Sequence, residues 1–276
     1  MNTGAMEIIS GYVIKPSSTL TALTAFTGDS FTVRNAPKNA YLMQLWSAAT
    51  TTNAGIIEIR SPRLHDTSHG IRVRNHIDSN NLLLPLGFAQ PLVSQDTLTI
   101  QQTGANTTLL QEVTSLLLYY PELPGTQQRL IDPQTVQSRM VNLLPYEVSV
   151  TAGVAAGTYA TAAAITASYD TLKANTDYAI LGGAVTIPAA STSATRRACS
   201  ICIRGTDTGN LRIGFPNESI QKSVSMDFFY RLSFWFKLPL IPVINSANKA
   251  NTFLDIANGE TALTQIVTLN LAELRT

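Results

Sequence analysis

Along much of the chain, apolar and polar residues alternate over short runs, the period of a half-buried β-strand. Residues 31–33, 41–46, 55–60, 71–74, 98–100 and 113–120 read as successive strands. Turn-forming clusters separate them: Thr27-Gly28-Asp29, Thr51-Thr52-Asn53, Asp78-Ser79-Asn80-Asn81 and Thr103-Gly104-Ala105-Asn106. Short strands at near-regular spacing predict a sandwich or barrel. The longest alternation covers 228–237. Phe228, Tyr230, Leu232, Phe234 and Phe236 make one apolar face, and Phe229, Arg231, Ser233, Trp235 and Lys237 the other. This predicts a half-buried strand whose second face meets another subunit. One stretch reads as helix. Asp132-Pro133 supplies an N-cap followed by proline at the first helical position, and Val136, Met140, Leu143 and Leu144 follow near helical spacing. The spacing predicts a short helix over 133–142. Residues 152–167 are rich in Ala, Thr and Gly and are assigned to strand and loop.

The strand pattern occurs twice. Glu7-Ile8 returns as Glu147-Val148, and Lys38-Asn39-Ala40-Tyr41 as Asn175-Thr176-Asp177-Tyr178. Ile57-Glu58-Ile59-Arg60 returns as Ile201-Cys202-Ile203-Arg204, and Gly70-Ile71-Arg72-Val73 as Asn210-Leu211-Arg212-Ile213. Leu84-Pro85-Leu86 returns as Leu238-Pro239-Leu240, and Gln111-Glu112-Val113-Thr114 as Gln265-Ile266-Val267-Thr268. The matches are collinear, at an offset of about 140 early and about 154 late. One insertion in the second copy, between Ile213 and Leu238, accounts for most of the change. It is expected to be exposed or contact-making. A period this long is that of a whole domain, not of a solenoid repeat.

Composition sharpens this picture. The chain has 276 residues, 45% of them hydrophobic, enough for a core in each half. Charged residues make up only 13%, well below the usual quarter. A surface of neutral amides and hydroxyls is cheaper to bury against a partner than a charged one. Net charge is +1, and the first thirty residues hold one cation, Lys15. Wrapping of nucleic acid by a basic arm is not expected, because such binding relies on phosphate neutralisation. Met1 to Ser10 lacks the pattern of a secretory signal. The apolar stretch 228–244 is interrupted by Arg231, Lys237, Pro239 and Pro242, so it does not read as a membrane span.

No motif announces chemistry. Walker, dinucleotide-binding, HExxH and G-x-S-x-G patterns are absent from the sequence. Gly182-Gly183 reads as a turn after a strand. His65 and His69, with His76 and Asp78 beyond, are the one histidine cluster. Imidazoles four apart share a face only on a helix, and Pro62 and Gly70 make this segment a loop. The matching loop of the second copy, residues 205–210, has no histidine. Cys199 and Cys202 fall in a strand, where residues three apart face opposite sides; buried apolar cysteine is the expectation. No catalytic, cofactor-binding or metal-binding residue is assigned, and the chain is expected not to be an enzyme.

Two tandem β units, a short helix between them and a low-charge surface together resemble the double jelly-roll major capsid proteins of small icosahedral, membrane-containing bacteriophages. The resemblance covers the whole chain without a diagnostic motif. It implies an all-β fold of two tandem jelly rolls: a first domain over 1–130, a helical connector over 131–145 and a second domain over 146–276. It implies homotrimers of pseudo-hexagonal outline, since three chains of two like domains give six like edges. Implied partners are neighbouring capsomers, minor capsid proteins and an internal lipid membrane, with no sequence-specific nucleic acid. The implied location is the virion, after synthesis in the host cytoplasm. The competing readings are a tandem β-sandwich binding module for carbohydrate and another phage head or spike protein. A carbohydrate module calls for exposed aromatics, whereas Trp46 and Trp235 both fall in predicted strands. A cupin-type enzyme calls for H-x-H and a following Glu, which the sequence lacks.

Overall fold

The computed structural model describes residues 4–14, 18–48, 55–65, 69–75, 84–85, 87–103, 111–152, 157–162, 165, 171–186, 198–216, 225–258 and 263–275. In the first half, β1 (Ala5–Ile14), β4 (Ala40–Ala48), β7 (Gln90–Leu92) and β9 (Gln111–Tyr120) form one antiparallel sheet in the order β1-β9-β4-β7. The two-residue β3 (Thr24–Ala25) extends its β1 edge. β2 (Thr21–Ala22), β5 (Gly55–Arg60), β6 (Ile71–Asn75) and β8 (Thr99–Gln102) form the second sheet, in the order β2-β8-β5-β6. Leaving β3 aside, the orders are first-eighth-third-sixth and second-seventh-fourth-fifth. This is the doubly wound Greek key of a jelly roll.

The second half repeats it. β11 (Met140–Ala152), β18 (Leu263–Leu274), β13 (Asp177–Thr186) and β16 (Ile241–Asn245) line up as β11-β18-β13-β16, with β10 (Leu130–Ile131) added beyond β16. β12 (Tyr159–Ala162), β17 (Thr252–Asn258), β14 (Ala198–Gly205) and β15 (Ile213–Pro216) line up as β12-β17-β14-β15. The fold is all-β, two tandem jelly rolls in one chain. Most of the echoed tetrapeptides fall on equivalent strands. One echo does not keep its register. Glu147 pairs with Thr268, whereas Thr114, the echo of Thr268, pairs with Gly11 and not with Glu7.

Pleating explains how the long apolar runs are used. On β9, Leu116, Leu118 and Tyr120 enter the first sandwich's core with Ile9, Leu42, Leu45, Ile57, Ile59 and Ile100. Val113, Leu117 and Tyr119 point the other way. They join Met6, Ile8, Met43 and Trp46 in a continuous cluster with the interior of the second unit. Strands β1, β9 and β4 are thus buried on both faces, which is why the stretch 116–120 reads as unbroken apolar sequence instead of alternation.

Helix α1 (Pro133–Arg139) forms as expected at its start, with the Asp132 carboxylate accepting from Thr135 N at 2.7 Å. It ends earlier than predicted, and residues 140–142 already belong to β11. Three expectations are corrected. Residues 228–237 are not a strand; Phe228–Phe236 is helix α2. Nearly every position there is apolar, so periods of 2 and 3.6 fit equally. None is β-branched, and burial of Phe228, Phe229, Leu232 and Ser233 follows the helical spacing. Lys237 closes the helix at φ 53°, and Pro239 prevents continuation. Residues 31–33 make only the bridge Thr32↔Thr97. Gly182 and Gly183 lie inside β13, not in a turn. A Cβ on Gly182 would sit 2.0 Å from Ser225 O, and one on Gly183 would sit 2.6 Å from the Phe215 ring. These glycines admit close neighbours on a strand.

Candidate functional site

The feature that organises the molecule is the seam between the two units. β1, β4 and β9 of the first unit pack against β14 and β15 of the second. A serine ladder crosses the centre. Ser10 and Ser115 hydroxyls are 2.8 Å apart, Ser115 Oγ donates to Ser200 Oγ at 3.3 Å, and Ser200 Oγ lies 3.7 Å from Cys202 Sγ. Small residues are required for this approach. A Cβ on Gly214 would lie 2.7 Å from Ile8 Cδ1. The backbones also join directly, with Ile8 N donating to Arg212 O and Thr27 N to Gly157 O, both at 2.8 Å. Gln128, between β9 and β10, clamps Met6 by accepting from its N–H at 2.8 Å and donating to its carbonyl at 2.6 Å.

Beside this ladder lies a buried charge cluster. Asp29, in the loop after β3, accepts from Ser10 N at 2.7 Å, Tyr159 OH at 2.6 Å and Arg212 Nη1 at 2.9 Å. Arg212 Nε and Arg204 Nε both donate to Asp255, at 2.9 and 2.6 Å. The Arg212 guanidinium stacks 4.1 Å above the Tyr159 ring. Burial pushes the Asp29 carboxyl up to about 6, against the opposing pull of Tyr159, Ser10 N–H and Arg212. Burial, with Cys202 and Asp29 nearby, raises the Tyr159 phenol well above its ordinary value. A cleft of about 420 Å³ opens alongside, lined by Glu7, Asp29, Arg34 and Arg212 among others. Its carboxylates and guanidiniums are already paired: Glu7 accepts from Arg34 Nε at 2.6 Å and Tyr120 OH at 2.5 Å. The arrangement neutralises charge inside an interface.

His65 Nδ1 accepts from Ser61 N at 3.0 Å and closes the turn after β5. His69 is exposed, while Asp66, His76 and Asp78 lie outside the described residues. Among the described residues no group of three His, Cys, Asp or Glu side chains is placed to hold a metal ion. Cys199 and Cys202 both fall on β14, and Cys202 is free and fully buried at the seam, where burial raises its thiol. No helix among the described residues is long and apolar enough to cross a membrane.

A second feature is the aromatic helix α2, which occupies the insertion between β15 and β16. Its buried side reaches the first unit, with Phe228 edge-on to Trp46 at 5.7 Å between centroids. Its other side is open. Phe234 and Trp235 are 62% and 55% exposed, and Phe88 of the first unit, 74% exposed, follows Gly87, which adjoins the Trp235 carbonyl. A cleft of about 630 Å³ between α1 and α2 is lined by Asp132, Gln134, Gln137, Phe234, Trp235 and Lys237. The expectation that Trp235 sits in a strand is overturned, whereas Trp46 lies on strand β4 as expected and is buried there.

Sequence reasoning identified neither the Asp29–Arg212–Asp255 cluster nor Tyr159. The available signal was charge scarcity: in a chain this poor in charge, Arg204 recurs in the second copy at the strand position of Arg60, and Arg212 echoes Arg72 in sequence, just before β15.

No family model matches the chain, and no curated protein matches it. Among solved structures, the crystal structure of the STIV MCP, a viral major capsid protein, aligns over 98% of this chain and 96% of that one. Identity is 7% and the TM-score 0.22. A likeness of that size carries no weight, and the jelly-roll assignment rests on strand order alone.

Proposed function

We propose that this chain is a structural, non-enzymatic shell subunit: the major capsid protein of an icosahedral virion, working as a homotrimer of pseudo-hexagonal outline. The observation that carries this reading is the duplication itself, two jelly rolls of one topology welded by a buried seam. Three such chains present six like sandwiches in a ring, which lets a threefold assembly occupy sixfold positions. Low surface charge supports extensive burial against neighbours. In this reading the partners are neighbouring capsomers, minor capsid proteins and an inner lipid layer, without sequence-specific contact to nucleic acid. The place of action is the virion. Light scattering on the purified chain tests it. A mass of three chains of 29.8 kDa each is expected, and a monomer at every concentration would contradict it.

One observation favours a second reading, a carbohydrate-binding module. Phe234 and Trp235 stand exposed beside the amides of Gln134 and Gln137, the composition of a sugar-stacking platform. Binding on a glycan array that disappears in Trp235→Ala, with the wild-type chain monomeric, would select it.

A further inference from the structure

Within the chain, the β1-β9-β4-β7 sheet of the first unit is covered by the β12-β17-β14-β15 sheet of the second. That contact is heterologous, because two different surfaces meet. Repeating it once more calls for the outer face of the β2-β8-β5-β6 sheet and the β11-β18-β13-β16 side of the second unit. Both carry exposed side chains in a single chain. A heterologous contact repeated between identical copies closes a ring when the rotation permits.

The duplication allows the covered and open versions of one face to be compared position by position. On the open face, Glu58 stands across from Arg72 and Gln101. On the covered face, the equivalent Cys202 stands across from Gly214 and Asp255. Where the seam is closed, two of the three positions are small and uncharged, and Gly214 leaves space for Ile8. Where the face is open, arginine takes glycine's place, with the Arg72 side chain 59% exposed over a buried Glu58. Arg74 stands exposed two residues on. The open face therefore suits a different counterpart, one that accepts guanidinium groups.

The second unit's free side has that character. α1 packs against β18 and α2 and runs directly into β11. On β11, Leu143 is about half exposed, at a position opposite in facing to the buried Tyr146, Val148 and Val150, and Val141, at the bulge between Met140 and Asn142, is about half exposed as well. The α1–α2 cleft adds Phe234 and Trp235. Aromatic rings bind guanidinium groups through their faces, and Trp and Arg are enriched at interface hot spots.

We propose that the arginine face of β5 and β6 in one copy docks on the α1–α2–β11 side of the next copy, with Arg72 and Arg74 meeting the Phe234–Trp235 pair. This rests on the shell-subunit reading and assigns the surfaces of its trimer. The test uses the full chain in a Cys199→Ser background with Arg72→Cys and Trp235→Cys, singly and together, treated with a short bis-maleimide. Melting curves first verify that each variant folds. The double variant is expected to cross-link into species of up to three chains, and each single variant to remain uncross-linked between copies. Trp235→Ala and Arg72→Glu are expected to weaken trimerisation about tenfold or more, each still melting cooperatively as a folded chain. Dimers from Trp235→Cys alone would show a self-paired contact and overturn the assignment. A trimeric wild type whose mass is insensitive to Trp235→Ala and Arg72→Glu would overturn it while leaving the shell reading intact, including where Trp235→Ala abolishes only sugar binding. A monomeric wild type would overturn both.

Discussion

Replacing Glu112 with Gln should change how stability depends on pH. Glu112 lies on β9 and is 1% exposed. Its carboxyl accepts from Gln102 Nε2 at 2.6 Å, and Gln102 Oε1 accepts from Thr114 Oγ1 at 2.7 Å. Burial pushes the carboxyl up from 4.5 to about 7, outweighing the Gln102 hydrogen bond. The folded state thus favours the protonated form more than the unfolded chain does. Its contribution is fully present below 4.5 and is lost as pH rises through about 7. Integrated over the two titrations, the loss between pH 5 and 8 is about 2–3 kcal/mol. Gln reproduces the acceptor and the shape but cannot ionise. Urea unfolding of both proteins at pH 5 and pH 8, at one fixed protein concentration because association shifts apparent stability, gives the comparison. The variant is expected to gain about 2–3 kcal/mol on wild type between those two pH values. A residual slope from Asp29, whose carboxyl is also raised, remains in both. Parallel pH profiles for the two proteins would refute the reasoning.

Tyr159→Phe removes a hydroxyl that stabilises the ionised form of Asp29, so it should cost about 1 kcal/mol at pH 8 and less at pH 5; equal losses at both would contradict the assignment. Gly214→Val places methyl groups against Ile8 and should lower stability by about 1–3 kcal/mol, read as a fall in the thermal midpoint. In a Cys199→Ser background, Cys202 should react with a maleimide at pH 8 only as fast as the protein unfolds; rapid labelling of the native chain would count against a closed seam.

Much of the architecture was legible because the strands carry strong local signals. Residues 55–60 were bounded to the residue, and the Asp132-Pro133 cap placed α1. The duplication was visible because equivalent strands keep equivalent side-chain facing, as Ile57–Arg60 and Ile201–Arg204 show. The helix at Phe228–Phe236 was misread because the segment is apolar on almost every face, so tertiary packing against Trp46, Phe215 and β13 decides its conformation. The seam was not legible either. Its charges come from Asp29, Arg204, Arg212 and Asp255, which strand pairing and the packing of the two units bring together across as many as 226 residues of sequence. The jelly-roll order itself came from the resemblance, since alternation fixes which residues face inward but not which strands are neighbours.

Electron microscopy of the purified chain tests the central claim most directly, that two like jelly rolls per chain exist to make a ring of six. Class averages are expected to show a closed particle of three chains with a near-hexagonal outline and six similar lobes. Particles containing only a pair of lobes, the single chain, at concentrations where assembly is sampled would contradict it.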